Sequence, residues 1–205
     1  EAARCFDTGS PWARVATSLA KYKTAEQAVW CTRKALELVG GNGYTEEYPV
    51  ARLFRDAQVL TVWEGPEQIQ ALELIRTLIH HDGAGAFLYR LKRIAASLPE
   101  IMKTERERLG RLTADVSIAL RDLERDPDSA AIEYLDLMSE VLAYALLCEE
   151  GAWELERFND AEKILFAERF YKNRFEIGLR PRLDVSLLEK DFGRVIEGRG
   201  FKTQQ

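Results

Sequence analysis

The residues best placed to do chemistry stand together at Trp63-Glu64-Gly65-Pro66, where a carboxylate between an aromatic ring and a glycine precedes an apolar segment. Pro66 suits a first helical position, because its missing N–H would have no partner there and its φ is already helical. Behind it, Ile69, Leu72, Ile75 and Leu78 recur every three residues, which predicts one apolar helical stripe. Glu64 is thereby set just outside a helix N-terminus, with Val62 and Trp63 before it. Two roles suit such an acid. As a complement to the helix dipole it would contribute about 0.3–1 kcal/mol. As a placed general base it would take a proton from a bound substrate. Local sequence alone favours the first.

Other chemistry-bearing residues are sparse. His80 and His81 are the only histidines and, being adjacent, point to different faces of a helix, so no metal pair is expected. Cys5, Cys31 and Cys148 are far apart and form no C-x-x-C pair, which is neither a disulfide framework nor a zinc site. The run Leu38-Val39-Gly40-Gly41-Asn42-Gly43-Tyr44 invites a dinucleotide reading and fails it. It follows a helix rather than a strand, and the last glycine of G-x-G-x-x-G would fall at Glu46. Its glycines allow positive φ and close approach of another backbone or a flat ligand. Taken alone, a helix C-cap followed by a tight turn is the simpler account.

The elements that must carry these residues are helical. Ser10-Pro11 predicts an N-cap and first turn, and the helix behind it runs to Val39, where Gly40-Gly41 stops it. A short helix over 50–59 places Leu53, Phe54, Ala57 and Leu60 near one face. The helix from Pro66 reaches about His81, and the Gly83-Ala84-Gly85 break is followed by another over 87–96. Ser97-Leu98-Pro99 opens a helix with Ile101, Leu109, Leu112, Val116, Leu120 and Leu123 at helical spacing. Asp126-Pro127 ends it, and the next carries Tyr134, Leu137, Met138, Val141, Ala145, Leu146 and Cys148. Asn159-Asp160 opens a helix through about Phe175, which Gly178 and Pro181 interrupt, and a last helix covers 186–196. With 46% hydrophobic and 31% charged residues over 205 positions, the chain is soluble and globular with a sizeable core. The fold class is all-α, a helical bundle in two parts hinged near residues 82–86.

Taken in order, Leu38–Tyr44, Glu47-Tyr48-Pro49, Leu53-Phe54-Arg55-Asp56-Ala57, Trp63-Glu64-Gly65 and Gln68-Ile69-Gln70 closely resemble the C-terminal helical domain of the flavin-dependent acyl-CoA dehydrogenase family. The resemblance covers residues 1–81 and makes them the end of that domain. Residues 82–205 are then a second helical subdomain, a C-terminal extension such as the longer members carry. It implies FAD as cofactor, an acyl-CoA thioester as substrate, an electron-transfer flavoprotein or similar acceptor, and a homo-oligomer. By resemblance Glu64 is the base that takes the α proton as the β hydrogen leaves as hydride. Gly65 would give the thioester room, and Trp63 would line the acyl pocket or pack in the core. Gly40 and Gly41 match a segment that lies against the FAD of a neighbouring subunit, and Gln68 matches a flavin-side position. Two positions depart from the family. Glu37 stands where Gln is common, which would set an acid near phosphates, and Pro66 replaces a Thr or Ser whose hydroxyl contacts the flavin. Arg55-Asp56 is read as a local ion pair or cap.

Three functions compete. The first is the dehydrogenase; the second is an adaptive-response, nucleic-acid-associated flavoprotein of the same superfamily; the third is a non-catalytic helical assembly module. Net charge is −5, and residues 80–205 hold 24 acids against 20 bases, which argues against nucleic acid. No apolar run reaches the ~18 residues a transmembrane helix needs. Reduced thiols and the resemblance imply a cytoplasmic setting, or the mitochondrial matrix in a eukaryote. The opening EAARCFDTG looks like a helix already under way, so a fragment, inactive by itself, is expected.

Overall fold

The computed structural model describes residues 1–123 and 131–176. The break expected at Asp126-Pro127, the interruption at Gly178 and Pro181, and the last helix over 186–196 lie outside the described residues. Among the described residues there are eight α-helices and no strand: α1 (Ala2–Asp7), α2 (Ala13–Val39), α3 (Pro49–Val59), α4 (Glu67–His80), α5 (Gly83–Ser97), α6 (Lys103–Leu123), α7 (Ala131–Phe158) and α8 (Glu162–Tyr171). The all-α expectation holds. The first compact unit is Glu1–Ala167 and the second begins at Glu168.

Core burial, more than capping, sets the helix starts. Ser10-Pro11-Trp12 is a turn closed by the Ala13 N–H on the Ser10 carbonyl (3.0 Å), so α2 begins two residues later than Ser10-Pro11 predicts. Trp12 is buried there with its ring edge-on to Phe87, 6.3 Å between centroids. Tyr48 is extended before Pro49, as a residue preceding proline must be, and Pro49 opens α3. Asn159 turns the chain at φ 54°, and the Asp160 carboxylate accepts the Glu162 N–H (2.9 Å) at the start of α8.

The core of the first unit lies between the front half of α2 and helices α4 to α7. From α2 it takes Val15, Ala16, Leu19 and Tyr22; from α4, Ala71, Leu74, Ile75 and Leu78. This corrects the stripe read from sequence. A three-residue spacing drifts around a 3.6-residue helix, so Ile69 and Leu72 face solvent while positions 71, 74, 75 and 78 face inward. In α3 the small Ala51 and Ala57 are buried and Leu53 is exposed, because α3 lies close against α2. Met102 takes the buried place expected of Ile101.

The central element is α7. Met138, Ser139, Glu140, Val141 and Leu142 are buried in succession, so the helix is enclosed around its circumference. Helices α2, α4, α5 and α6 all pack on it. The helices before and after residue 82 therefore share one core. Two ion-pair clusters tie them. Lys23 reaches Asp136 (2.9 Å) and Glu140 on α7, with the Tyr22 hydroxyl donating to Asp136 (3.3 Å). Arg90 on α5 donates to Glu1 (2.9 Å) and, through both terminal nitrogens, to Glu149 on α7 (2.9 and 2.5 Å).

The described part of the second unit is the last turn of α8 and the wider turn Lys172–Glu176. Phe175 lies 6.4 Å from Phe170 and 5.4 Å from Tyr171, centroid to centroid.

Candidate active site

The chain leaves α3 through a series of tight turns. The Leu60 N–H bonds the Ala57 carbonyl (3.1 Å), and those of Val62 and Trp63 both reach Val59 (3.0 and 3.1 Å). Lys21 on α2 anchors this segment by donating to the Leu60 carbonyl at 2.7 Å. Then two residues reverse the chain. Glu64 has φ 55° and Gly65 φ 98°, both in the left-handed region. Glycine enters it freely, whereas an L-residue such as Glu64 must be held there by its surroundings. Pro66 (φ −55°, ψ 170°) follows, and its carbonyl accepts the Gln70 N–H at 3.0 Å. Pro66 is thus the N-cap and Glu67 the first helical residue, one position later than the sequence predicts.

The reversal puts the Glu64 side chain in solvent, and among the described residues no group pairs with its carboxylate. Trp63 is 53% exposed, so it is not a core residue, and Val62, Ile69 and Leu72 are exposed as well. Beside them a cleft of about 270 Å³ runs between α2 and the start of α4, with Tyr22, Glu26 and Val29 on one wall and Gln58, Pro66 and Gln68 on the other. Gln68 is exposed, its amide 3.4 Å from Glu67.

The glycine loop forms a second, separate group at the far end of α2. Gly40 (φ 70°) caps the helix, its N–H reaching the Glu37 and Leu36 carbonyls. A side-chain carbon added at Gly40 or Gly41 would meet nothing within 4 Å, so both present open backbone. The close approach belongs to Gly43, where an added carbon would stand 2.9 Å from the Leu36 carbonyl oxygen. Glu37 is clamped by Lys34 (2.7 Å) and Arg33. The Lys34 hydrogen bond leads in holding its carboxyl below the usual carboxylate range. Arg55 pairs with Glu46 through two bonds (2.8 and 2.9 Å) rather than with Asp56, which faces Arg52 at 3.5 Å.

Sequence reasoning missed Lys21 and Gln70. The first is 39 residues from the carbonyl it holds, and nothing local announces it. The second was legible only as part of Gln68-Ile69-Gln70, although its side chain donates to the Glu64 carbonyl (3.1 Å) and lies 3.4 Å from that of Gly65. Metal-ligand clusters are absent among the described residues. No described helix is long and apolar enough to cross a membrane.

A sequence profile described as "Acyl-CoA dehydrogenase, C-terminal domain" matches residues 1–79. Short/branched chain specific acyl-CoA dehydrogenase of Rattus norvegicus is 46% identical over 83 residues, 40% of this chain and 18% of that protein. Cyclohexane-1-carbonyl-CoA dehydrogenase of Syntrophus aciditrophicus is 40% identical over 78 residues, covering 38% and 20%. Acyl-CoA dehydrogenase family member 11 of Caenorhabditis elegans is 30% identical over 125 residues, covering 61% and 20%. The matched region spans about a fifth of each relative's length. The turn that carries Glu64, the glycine loop, helices α1 to α3 and all but the last residue of α4 fall within the profile, so this segment of the chain is similar to the C-terminal domain of the acyl-CoA dehydrogenases.

Proposed function

We propose that this chain is the C-terminal part of an FAD-dependent acyl-CoA dehydrogenase, in which Glu64 takes the α proton of an acyl-CoA thioester. The observation that carries this reading is the Glu64–Gly65 reversal: an unpaired carboxylate, in a conformation that needs external support, next in the chain to exposed Val62 and Trp63 within the matched segment. Strain of this kind concentrates at functional positions, and exposed apolar patches mark ligand or subunit contacts. A dipole complement alone would need neither.

The residues present fit the edge of a flavin dinucleotide site. Gly40 and Gly41 offer backbone with no side chain in the way, and the charge of Glu37 is already met by Arg33 and Lys34, so its acid is not a bare repulsion for a phosphate. Pro66 supplies no hydroxyl or N–H, which leaves Gln68 as the polar group on this side. FAD, when bound, supplies the acceptor for the β hydrogen. Glu64 takes the proton from the α carbon, Val62 and Trp63 shield the carboxylate from water once substrate is bound, and Gly65 leaves room for the thioester. Efficient proton abstraction requires the base within hydrogen-bond reach of that proton. A homo-oligomer and an electron-transfer flavoprotein or similar acceptor complete the proposal, in the cytoplasm or the mitochondrial matrix.

The test uses the whole protein that carries this chain, mixed anaerobically with short, branched and alicyclic acyl-CoA thioesters while the visible absorbance of oxidised flavin is followed. Bleaching by one thioester class, abolished in Glu64→Gln, supports the reading. Bound flavin that no thioester reduces would favour the adaptive-response function, and a protein without flavin would leave an assembly module.

A further inference from the structure

We infer that Gln70 is a positioning residue for Glu64, a tether that holds the reversed turn in its working conformation; this rests on the reading of Glu64 as the base. Side chains on a helix lean toward its N-terminus. A glutamine four residues after the N-cap Pro66 therefore reaches back over the first turn of α4. There its amide nitrogen donates to the Glu64 carbonyl at 3.1 Å and stands 3.4 Å from the Gly65 carbonyl. Its backbone N–H is engaged separately with the Pro66 carbonyl, so both ends of the residue bind the segment that enters the helix.

The tether and the glycine are one device. A side-chain carbon added at Gly65 would lie 2.6 Å from the Gln70 amide nitrogen and 3.3 Å from Ile69. Gly65 thus provides the space through which Gln70 reaches the Glu64 carbonyl, besides adopting φ 98°. From the other side Lys21 holds the Leu60 carbonyl. The base is suspended between two side-chain-to-carbonyl bonds, one from α2 and one from α4. Gln70 touches only backbone carbonyls of the turn and acts through Glu64.

The experiment compares the parent, Gln70→Met, Glu64→Gln, Gly65→Ala and Gly65→Ala/Gln70→Met in the full-length flavoprotein. Three quantities are read: the limiting rate of flavin reduction, the Kd of the thioester, and hydrogen exchange of the Trp63 and Gln70 amides that flank the turn. Methionine keeps the length of glutamine and removes the donor. Loss of the bond and displacement of the base should slow limiting reduction about ten- to a hundredfold in Gln70→Met, with Kd changed less than about threefold. Exchange at the two amides should quicken about tenfold. Gly65→Ala breaks the same contact but also strains φ 98° and fills the thioester's space, so the shared contact shows as a loss in Gly65→Ala/Gln70→Met smaller than the sum of the two single losses. Parental reduction and exchange in Gln70→Met, with Glu64→Gln inactive, overturns the tether and leaves the base standing. Parental reduction in Glu64→Gln overturns the base and the tether together. A loss in Kd with an unchanged limiting rate would also overturn it, since that would make Gln70 a binding residue.

Discussion

Replacing Lys23 by methionine tests whether the family segment and the helices that follow it form one thermodynamic unit. Lys23 on α2 meets Asp136 (2.9 Å) and Glu140 on α7; its side chain is 16% exposed and that of Glu140 only 6%. Methionine retains the apolar stem and deletes the charge, taking from the buried Glu140 carboxylate the cation that reaches it from α2. Breaking a buried pair in this way costs about 3–5 kcal/mol, mostly the penalty of the charge left behind. The lower end applies, about 3 kcal/mol, because Asp136 is 29% exposed and regains water. A typical domain is stable by about 5–15 kcal/mol, so the loss is large. Urea unfolding followed by far-ultraviolet circular dichroism reads it as a lower midpoint at unchanged slope. In the Lys23→Met background, Glu140→Gln should cost less than it does in the parent, because the ion pair it would break is already gone. The reasoning fails if Lys23→Met lies within about 1 kcal/mol of the parent, or if Glu140→Gln acts alike in both backgrounds.

Two further outcomes follow from buried titratable groups. Hydrogen bonds from Arg4, then from Arg90, hold the Glu1 carboxyl down at about 2 instead of the ordinary 4.5, against the opposing effect of burial. Its contribution is therefore complete above about pH 4.5 and is lost as pH falls toward 2. The ceiling of about 3 kcal/mol falls to about 1–2 because Arg4 is 56% exposed and screened by water, so Glu1→Gln should lower stability at neutral pH and flatten its decline in acid, measured by unfolding at several pH values. The thiols should differ in reactivity. Burial pushes Cys148 up to about 12 and raises Cys5, whereas Cys31 is exposed. Because the thiolate is the nucleophile, a maleimide at neutral pH should label Cys31 alone in the native protein, read by mass, and all three in denaturant.

What was legible in the sequence was the punctuation. Gly40-Gly41 ends α2 and Asn159-Asp160 opens α8, each because a local backbone or capping preference suffices. Phase was less legible. The even spacing of Ile69, Leu72, Ile75 and Leu78 concealed the inward face through Ala71 and Leu74, since small and large apolar residues are equally compatible with burial against α7. At the candidate site, Glu64 stood out by residue type, but its left-handed backbone did not, for nothing local predicts positive φ at a glutamate. The Lys21 and Gln70 bonds that support the turn depend on helix packing and helix direction, which one-dimensional spacing does not carry.

The enclosure of α7 separates ancestry from architecture. The profile match ends at residue 79, yet the surface of α2 and α4 within it is covered by a helix beginning at residue 131. Heredity and cooperativity thus draw their borders at different places along the chain. An expression fragment cut where the signature stops would carry Leu74, Ile75 and Leu78 to the solvent. Sequence drift in α7 would in turn be disciplined by residues of the matched segment. Substitutions at positions such as Met138 and Val141 would be answered by changes in α2 and α4, so the two stretches should vary together even though the profile covers only one of them.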